Sequence, residues 1–170
     1  MDAVANNGLP RTLVPVDCMW SATIKLLEST NWADNLSGKD VLRLSNYLRV
    51  CVAKKGAQIV CEGSRDAYLC LLIEGKVAVI KKDHGNETKR MGEIRPGRTF
   101  GEMSLLDGEP RSASVIAEET STLIVLTAED FARLSSDLPK LAMKVLLKIS
   151  KLLSQRLRQT SGMLADHING

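Results

Sequence analysis

Between Asp17 and Val50 the apolar residues Ile24, Leu27, Trp32, Leu36, Val41, Leu44 and Leu48 recur near three- and four-residue spacings. That period predicts helix, interrupted at the stretch NLSGKD, residues 35–40. Ser37, with Asp40 three residues on, predicts an N-cap and an acid in the first turn. The fifteen residues at the start carry Asn6, Asn7, Gly8 and prolines 10 and 15, which predicts a frayed lead-in.

From Gly56 the period shortens. AQIVCEG (57–63), YLCLLIEGKVAVIKK (68–82), TKRMGEI (88–94), RTF (98–100), SASVIAEE (112–119) and STLIVLT (121–127) are short and rich in Val, Ile and Leu. Gly, Asp, Asn and Pro separate them, and EGKV and DHGNE predict hairpin turns. A run of short antiparallel strands favours a barrel or roll over a parallel sheet.

The chain turns helical again from Thr127. Thr127 and Asp130 predict a capping box, with Asp in place of the usual Glu, ahead of a short helix over AEDFARLSS. Pro139 suits the first turn of a second helix, which runs to about Leu164, roughly 25 residues or about 38 Å. Leu146, Ile149, Leu153, Leu157, Thr160 and Leu164 form one stripe of it, and Lys140, Lys144, Lys148 and Lys151 form another. The expected fold is mainly β with flanking helices. Its parts are a lead-in and helix over 1–35, a β-roll over 36–136 and a long C-terminal helix over 137–170, in one domain.

Composition adds limits. The chain has 170 residues, 44% apolar and 25% charged, enough for one packed core. No apolar run approaches the roughly 20 residues a bilayer span needs, and the N-terminus lacks a signal-peptide pattern, so a cytoplasmic protein is expected. Cys18, Cys51, Cys61 and Cys70 form no CxxC pair and read as reduced structural residues. His84 and His167 are too scattered for a metal cluster, so no metal is expected. The net charge of +3 concentrates between Leu138 and Ala165, where Asp and Glu are absent. Such a run could neutralise nucleic-acid or membrane phosphates, but with almost no aromatics for stacking it reads as a solvated face.

The stretch RTFGEMSLLDGEPRSASV, Arg98 to Val115, carries the candidate chemistry. Gly101 permits a close backbone approach or an unusual dihedral. GEMSLL can make one or two helical turns whose first N–H groups face an anion. Arg111 offers a planar fork of five donors suited to phosphate or carboxylate, and Ser112 and the Ala113 N–H add donors. Glu102, acceptor-only when ionised, suits the hydroxyls of a sugar. Together they describe a sugar-phosphate pocket; the alternative is that Glu102 and Arg111 simply pair on the surface, where a pair is worth about 0–1 kcal/mol. No nucleophile–base spacing is recognisable, so no catalytic residues and no enzyme activity are expected.

Taken together, GAQIVCEG (56–63), YLCLLIEGKVAVIK (68–81), GRTFGEMSLL (97–106) and PRSASV (110–115) resemble the cyclic nucleotide-binding domain family in order and spacing, over about Leu36 to Phe131. The resemblance implies a jelly-roll-like β-roll with a phosphate-binding cassette and a regulatory role: cAMP sensing, with a cGMP-binding module or the ligand-sensing fragment of a larger transcription regulator or effector enzyme as the alternatives. Ser112 leaves the base open, because a hydroxyl beside this arginine is found in cGMP-selective kinase domains and in a cAMP-binding transcription-factor member alike. It implies that Glu102 accepts from the ribose 2′-hydroxyl and that Arg111 pairs with the cyclic phosphate. Gly101, Met103, Ser104, Ser112 and Ala113 would complete the cradle. QRLRQTS (155–161) resembles the helix that reaches the base in transcription-factor members, where Thr160 and Ser161 would supply hydroxyls, one from each subunit of a homodimer along this helix. A haem-binding variant would need His84, which falls in a polar turn. Because the sequence stops at Gly170, the helix-turn-helix of those members is not expected, and the downstream partner is not named by any motif.

Overall fold

The computed structural model describes residues 9–17, 20–83 and 85–168. Contacts gather into two compact units, Met1–Arg133 and Leu134–Gly170. The first opens with β1 (Val14–Pro15), α1 (Trp20–Glu28), a 3₁₀ turn (Asn31–Ala33), α2 (Gly38–Leu44) and a second 3₁₀ turn (Ser45–Tyr47). The strands β2 (Arg49–Ala53), β3 (Gln58–Val60), β4 (Tyr68–Glu74), β5 (Val77–Lys82), β6 (Thr88–Ile94) and β7 (Thr99–Phe100) follow. After α3 (Glu102–Asp107) come β8 (Ser114–Ala117), β9 (Ser121–Thr127) and α4 (Ala128–Asp137). The second unit is dominated by α5 (Pro139–Ile168).

The strands form two antiparallel sheets, in the orders β1-β2-β9-β4-β7 and β3-β8-β5-β6. The mainly β roll with flanking helices is therefore present. Alternation builds its core: Cys51 and Ala53, then Tyr68, Cys70 and Leu72, then Leu123 and Val125 meet Ile59, Val60, Val77, Val115 and Ala117 of the other sheet. β4 is buried on both faces. Its alternate residues Leu69 and Leu71, with Ile124 and Leu126 of β9, share an apolar pocket with Leu27, Trp32 and Leu48. That explains why YLCLLI is continuously apolar rather than alternating.

Caps set the helices. Ser37 Oγ accepts from the Asp40 N–H at 3.1 Å and Asp40 Oδ2 accepts from the Ser37 N–H at 3.2 Å, a complete capping box. Thr127 Oγ1 likewise accepts from the Asp130 N–H at 3.1 Å. The Asp130 carboxylate takes a different set of donors, the Thr127 hydroxyl at 2.9 Å, Arg49 Nη2 at 3.0 Å and Arg133 Nη2 at 3.0 Å. The acid at this cap is thus a buried tie between β2 and α4.

Four expectations change. Residues 9–15 are not frayed: Leu9 and Leu13 are core residues, and Val14 pairs with Val52 and Pro15 with Cys51. Pro15 is accommodated because β1 is an edge strand, where a missing N–H costs little. The helical period does not run to Val50, because Arg49–Ala53 is a strand paired along β9. In so short a segment strand and helix spacings overlap. EGKV is not a hairpin: β4 pairs with β9 and β7, whereas β5 pairs with β8 and β6, so the chain changes sheets there. Gly75, at φ 94°, makes the corner, and a Cβ on it would stand 2.7 Å from the Thr120 carbonyl oxygen. DHGNE does close the β5–β6 hairpin, with Lys82 opposite Thr88; His84 within it, like Cys18, lies outside the described residues. α5 extends through Gly162 over 30 residues, longer than the spacing predicts.

The polar edge strand β6 is bound by an ion-pair network. Glu93 meets Lys76 at 3.1 Å, Arg95 at 2.6 Å and Arg90 at 3.5 Å, while Glu118 meets Arg90 at 3.0 Å and Lys76 at 3.5 Å. The Arg95 hydrogen bond, then Lys76, hold the Glu93 carboxyl down at about 2. A carboxyl lowered on folding stabilises above its unfolded value of 4.5 and loses that contribution as the pH falls through about 2. Glu93→Gln is expected to lose less melting temperature than the parent between those two values; superimposable acid profiles would refute this. Asp130→Ala, which strands Arg49 and removes the acceptor of the Thr127 hydroxyl, is expected to cost about 3 kcal/mol in denaturant unfolding.

Candidate functional site

The stretch between β7 and β8 is shaped by glycines at both ends of α3. Gly101 caps its N-terminus at φ 81°, ψ 4°, and Gly108 ends it at φ 70°, ψ 6°, donating its N–H to Ser104 O at 3.1 Å. Both are left-handed conformations that glycine adopts without a Cβ penalty. Gly101 is doubly constrained. A Cβ there would stand 2.7 Å from Tyr68 O and 2.8 Å from Arg111 Nη1.

Arg111 is 4% exposed, and its guanidinium is held by main-chain oxygens. Nη1 donates to Gly101 O at 2.8 Å and Nη2 to Tyr68 O at 2.9 Å. Its own main chain is clasped too: the Arg111 N–H donates to Ser64 O and the Gly63 N–H to Arg111 O, both at 2.8 Å. Among the described residues Arg111 makes no ion pair, and its buried Nε has no hydrogen-bond partner. The surface pairing of Glu102 with Arg111 is therefore not what this structure contains. A buried cation without a counter-charge is costly, and a buried donor left unsatisfied costs about 1–3 kcal/mol. An anion arriving at Nε offsets both.

Glu102 begins α3 and is 3% exposed. Ser104 is also buried, Met103 turns outward, Ser112 is exposed and Ala113 is half-buried in the loop entering β8. That loop corrects the expectation that Arg111 enters a strand directly, since β8 begins at Ser114. The fold thus brings Gly101, Arg111 and the start of α3 together. Thr160 and Ser161 belong to the other unit, where both are exposed on α5. The Arg111 guanidinium sits over the Tyr68 ring, Cζ to centroid 4.3 Å. Tyr68 and the Gly63–Ser64 clasp are contributions that reading the residues did not find. Tyr68 opens an apolar strand, so its pattern says only core, and nothing in Ser64 marks it.

Burial pushes the Tyr68 phenol well above its ordinary range, so it faces the guanidinium uncharged. Burial likewise raises the neighbouring Cys70 thiol, against a smaller lowering by Arg111. Cys51 and Cys70 are buried free thiols and Cys61 is an exposed one. Among the described residues no group of three or more His, Cys, Asp or Glu could hold a metal, and no helix is long and apolar enough to cross a membrane.

Comparison with known proteins agrees with this geometry. Residues 50–137 match the model of the cyclic nucleotide-binding domain. The Cyclic AMP receptor protein of Thermus thermophilus is 33% identical over 124 residues, covering 73% of this chain and 56% of that protein. The cGMP-dependent protein kinase 2 of Homo sapiens is 30% identical over 107 residues, covering 62% of this chain and 14% of the kinase. The chain thus spans little more than half of one relative and a small part of the other. A crystal structure of a cyclic nucleotide-binding domain from Methylobacillus flagellatus superposes with a TM-score of 0.75 at 30% identity, covering 87% of this chain and 85% of that one. A matched stretch containing β3 to β9, the short helix and the buried arginine makes this chain a member of the cyclic nucleotide-binding domain family.

Proposed function

We propose that this chain is a cyclic-nucleotide sensor that takes cAMP at the β7–β8 segment and acts on a partner through its C-terminal helix, without catalysing a reaction. The observation that carries this is the buried Arg111 guanidinium, whose Nε has no hydrogen-bond partner and whose charge makes no ion pair among the described residues. A cyclic phosphate monoanion supplies both. In this reading Glu102 accepts from the ribose 2′-hydroxyl. Gly101, Met103, Ser104, Ser112 and Ala113 line the phosphate and sugar with main-chain and hydroxyl groups.

Thr160 and Ser161 are proposed to offer hydroxyls to the base, in a homodimer along α5. Support comes from the resemblance of QRLRQTS to base-reaching helices and from exposed Leu157 and Leu164 on the apolar stripe. The exposed hydroxyl of Ser112 beside the arginine favours a second reading, cGMP, which the human kinase relative also suggests. Whichever base is taken, the ligand's effect on the partner and the partner's effect on ligand affinity are equal by linkage.

Calorimetry with cAMP and cGMP tests the proposal. Binding of one of them tighter than about 100 µM, or about 5.5 kcal/mol, is expected; weaker binding of both refutes it. Arg111→Ala is expected to weaken binding about tenfold to over a hundredfold, about 1.5–3 kcal/mol. An unchanged affinity would remove Arg111 from its role. Gly101→Ala, forced into a left-handed conformation against Tyr68 O, is expected to lower stability by about 1–3 kcal/mol and to weaken the same ligand, as thermal melts and calorimetry would show.

A further inference from the structure

A buried guanidinium needs compensation, and the usual source is a carboxylate. A carboxylate would occupy the N–H donors and cancel the charge that an incoming anion is to meet. Arg111 is compensated differently. Its hydrogen bonds go to the neutral carbonyl oxygens of Tyr68 and Gly101, and its Cζ lies 4.3 Å from the centre of the Tyr68 ring. An aromatic face attracts a cation through its quadrupole, and more strongly when the pair is desolvated. That contact at Cζ uses no N–H donor. The positive charge is therefore stabilised while Nε keeps its donor available.

The geometry points to Tyr68 as the positioning residue for Arg111, its ring compensating the buried guanidinium and its carbonyl fixing the fork so that Nε meets a ligand phosphate. This rests on the reading of Arg111 as the phosphate partner. Tyr68 is itself held at three points. Its main chain pairs with Thr127 of β9, its hydroxyl donates to Ile59 O of β3 in the other sheet, and it has no exposed surface. A side chain so fixed can hold the guanidinium in one place, which a flexible surface partner cannot. Main-chain contacts complete the frame, with Gly63 and Ser64 clasping the Arg111 backbone.

The test separates the ring from the hydroxyl. Tyr68→Phe keeps the ring and loses the bond to Ile59, whereas Tyr68→Leu loses both. Both variants are expected to melt below the parent. Affinity for the tighter of cAMP and cGMP is expected to stay within about threefold in Tyr68→Phe and to fall about ten- to thirtyfold in Tyr68→Leu. Equal losses in the two variants, or parental affinity in Tyr68→Leu, would overturn the assignment, because a merely structural tyrosine would behave so.

A second measurement needs neither nucleotide nor the leucine variant. In proton–nitrogen NMR spectra of the nucleotide-free protein, the Arg111 Nε–H signal is expected to be shifted upfield by the ring in the parent and in Tyr68→Phe. Its absence from that position in the parent would overturn the assignment. Failure of the parent to bind either cyclic nucleotide would refute the proposed function, while the NMR result would still decide the Tyr68–Arg111 contact.

Discussion

A buried cation that makes no ion pair among the described residues, Arg111, organises the site end of this protein. Arg111 reaches Gly101 before α3 and Tyr68 at the start of β4, and its main chain is paired with Gly63 and Ser64. Three stretches of chain, Gly63–Ser64, Tyr68 and Gly101, thus converge on one residue. Each contributes a carbonyl, an N–H or a ring face, and none contributes a negative charge. Net positive character in a desolvated setting is retained, where an electrostatic contact is worth more than in water.

The rest of the first unit can be read as what that convergence requires. Gly101 must lack a Cβ, since one would collide with Tyr68 O and Arg111 Nη1. Tyr68 must be rigid, and it is rigid because β4 is buried on both faces, on the inside against the other sheet and on the outside against α1 and the first 3₁₀ turn. The sheet change at Gly75 matters for the same reason. It lets β5 pair with β8, and β8 is the strand that Arg111 leads into. Asp130 then ties α4 to β2 through Arg49 and to Thr127, the pairing partner of Tyr68. The site is therefore a by-product of closing two sheets on one core, with a left-handed glycine and an arginine without an ion pair brought together there.

Much of this was legible along the chain, for identifiable reasons. Helix caps are local, so Ser37 with Asp40 and Thr127 with Asp130 could be read from spacings of three, even though the second acid turned out to serve Arg49 and Arg133 as well. Strands β3 to β6, β8 and β9 were legible because short β-branched runs between turn residues have few alternatives. β1 and β2 were not: two residues ending in proline, and five whose spacing also fits a helix, reveal themselves only through the partner strands. EGKV misled because a glycine turn looks the same whether the strands beside it pair or part. What decides between them is which other strands are at hand, and that is information from β8 and β9.

At the site the division is similar. The residue types of 98–115, and their order among glycines, were enough to single out Gly101, Glu102 and Arg111 and to suggest a sugar-phosphate chemistry, because donor and acceptor inventory belongs to the side chain itself. Whether the acid and the arginine face each other or a ligand could not be read from nine positions of separation. That depends on burial and on which carbonyls lie within hydrogen-bond reach, and both are set by strands some forty residues upstream. Tyr68 belongs wholly to that second kind of knowledge. By itself it is an aromatic residue at the head of an apolar strand. Only the folded sheet puts its ring under a guanidinium, because the contact joins residues 43 positions apart in sequence that no local period connects.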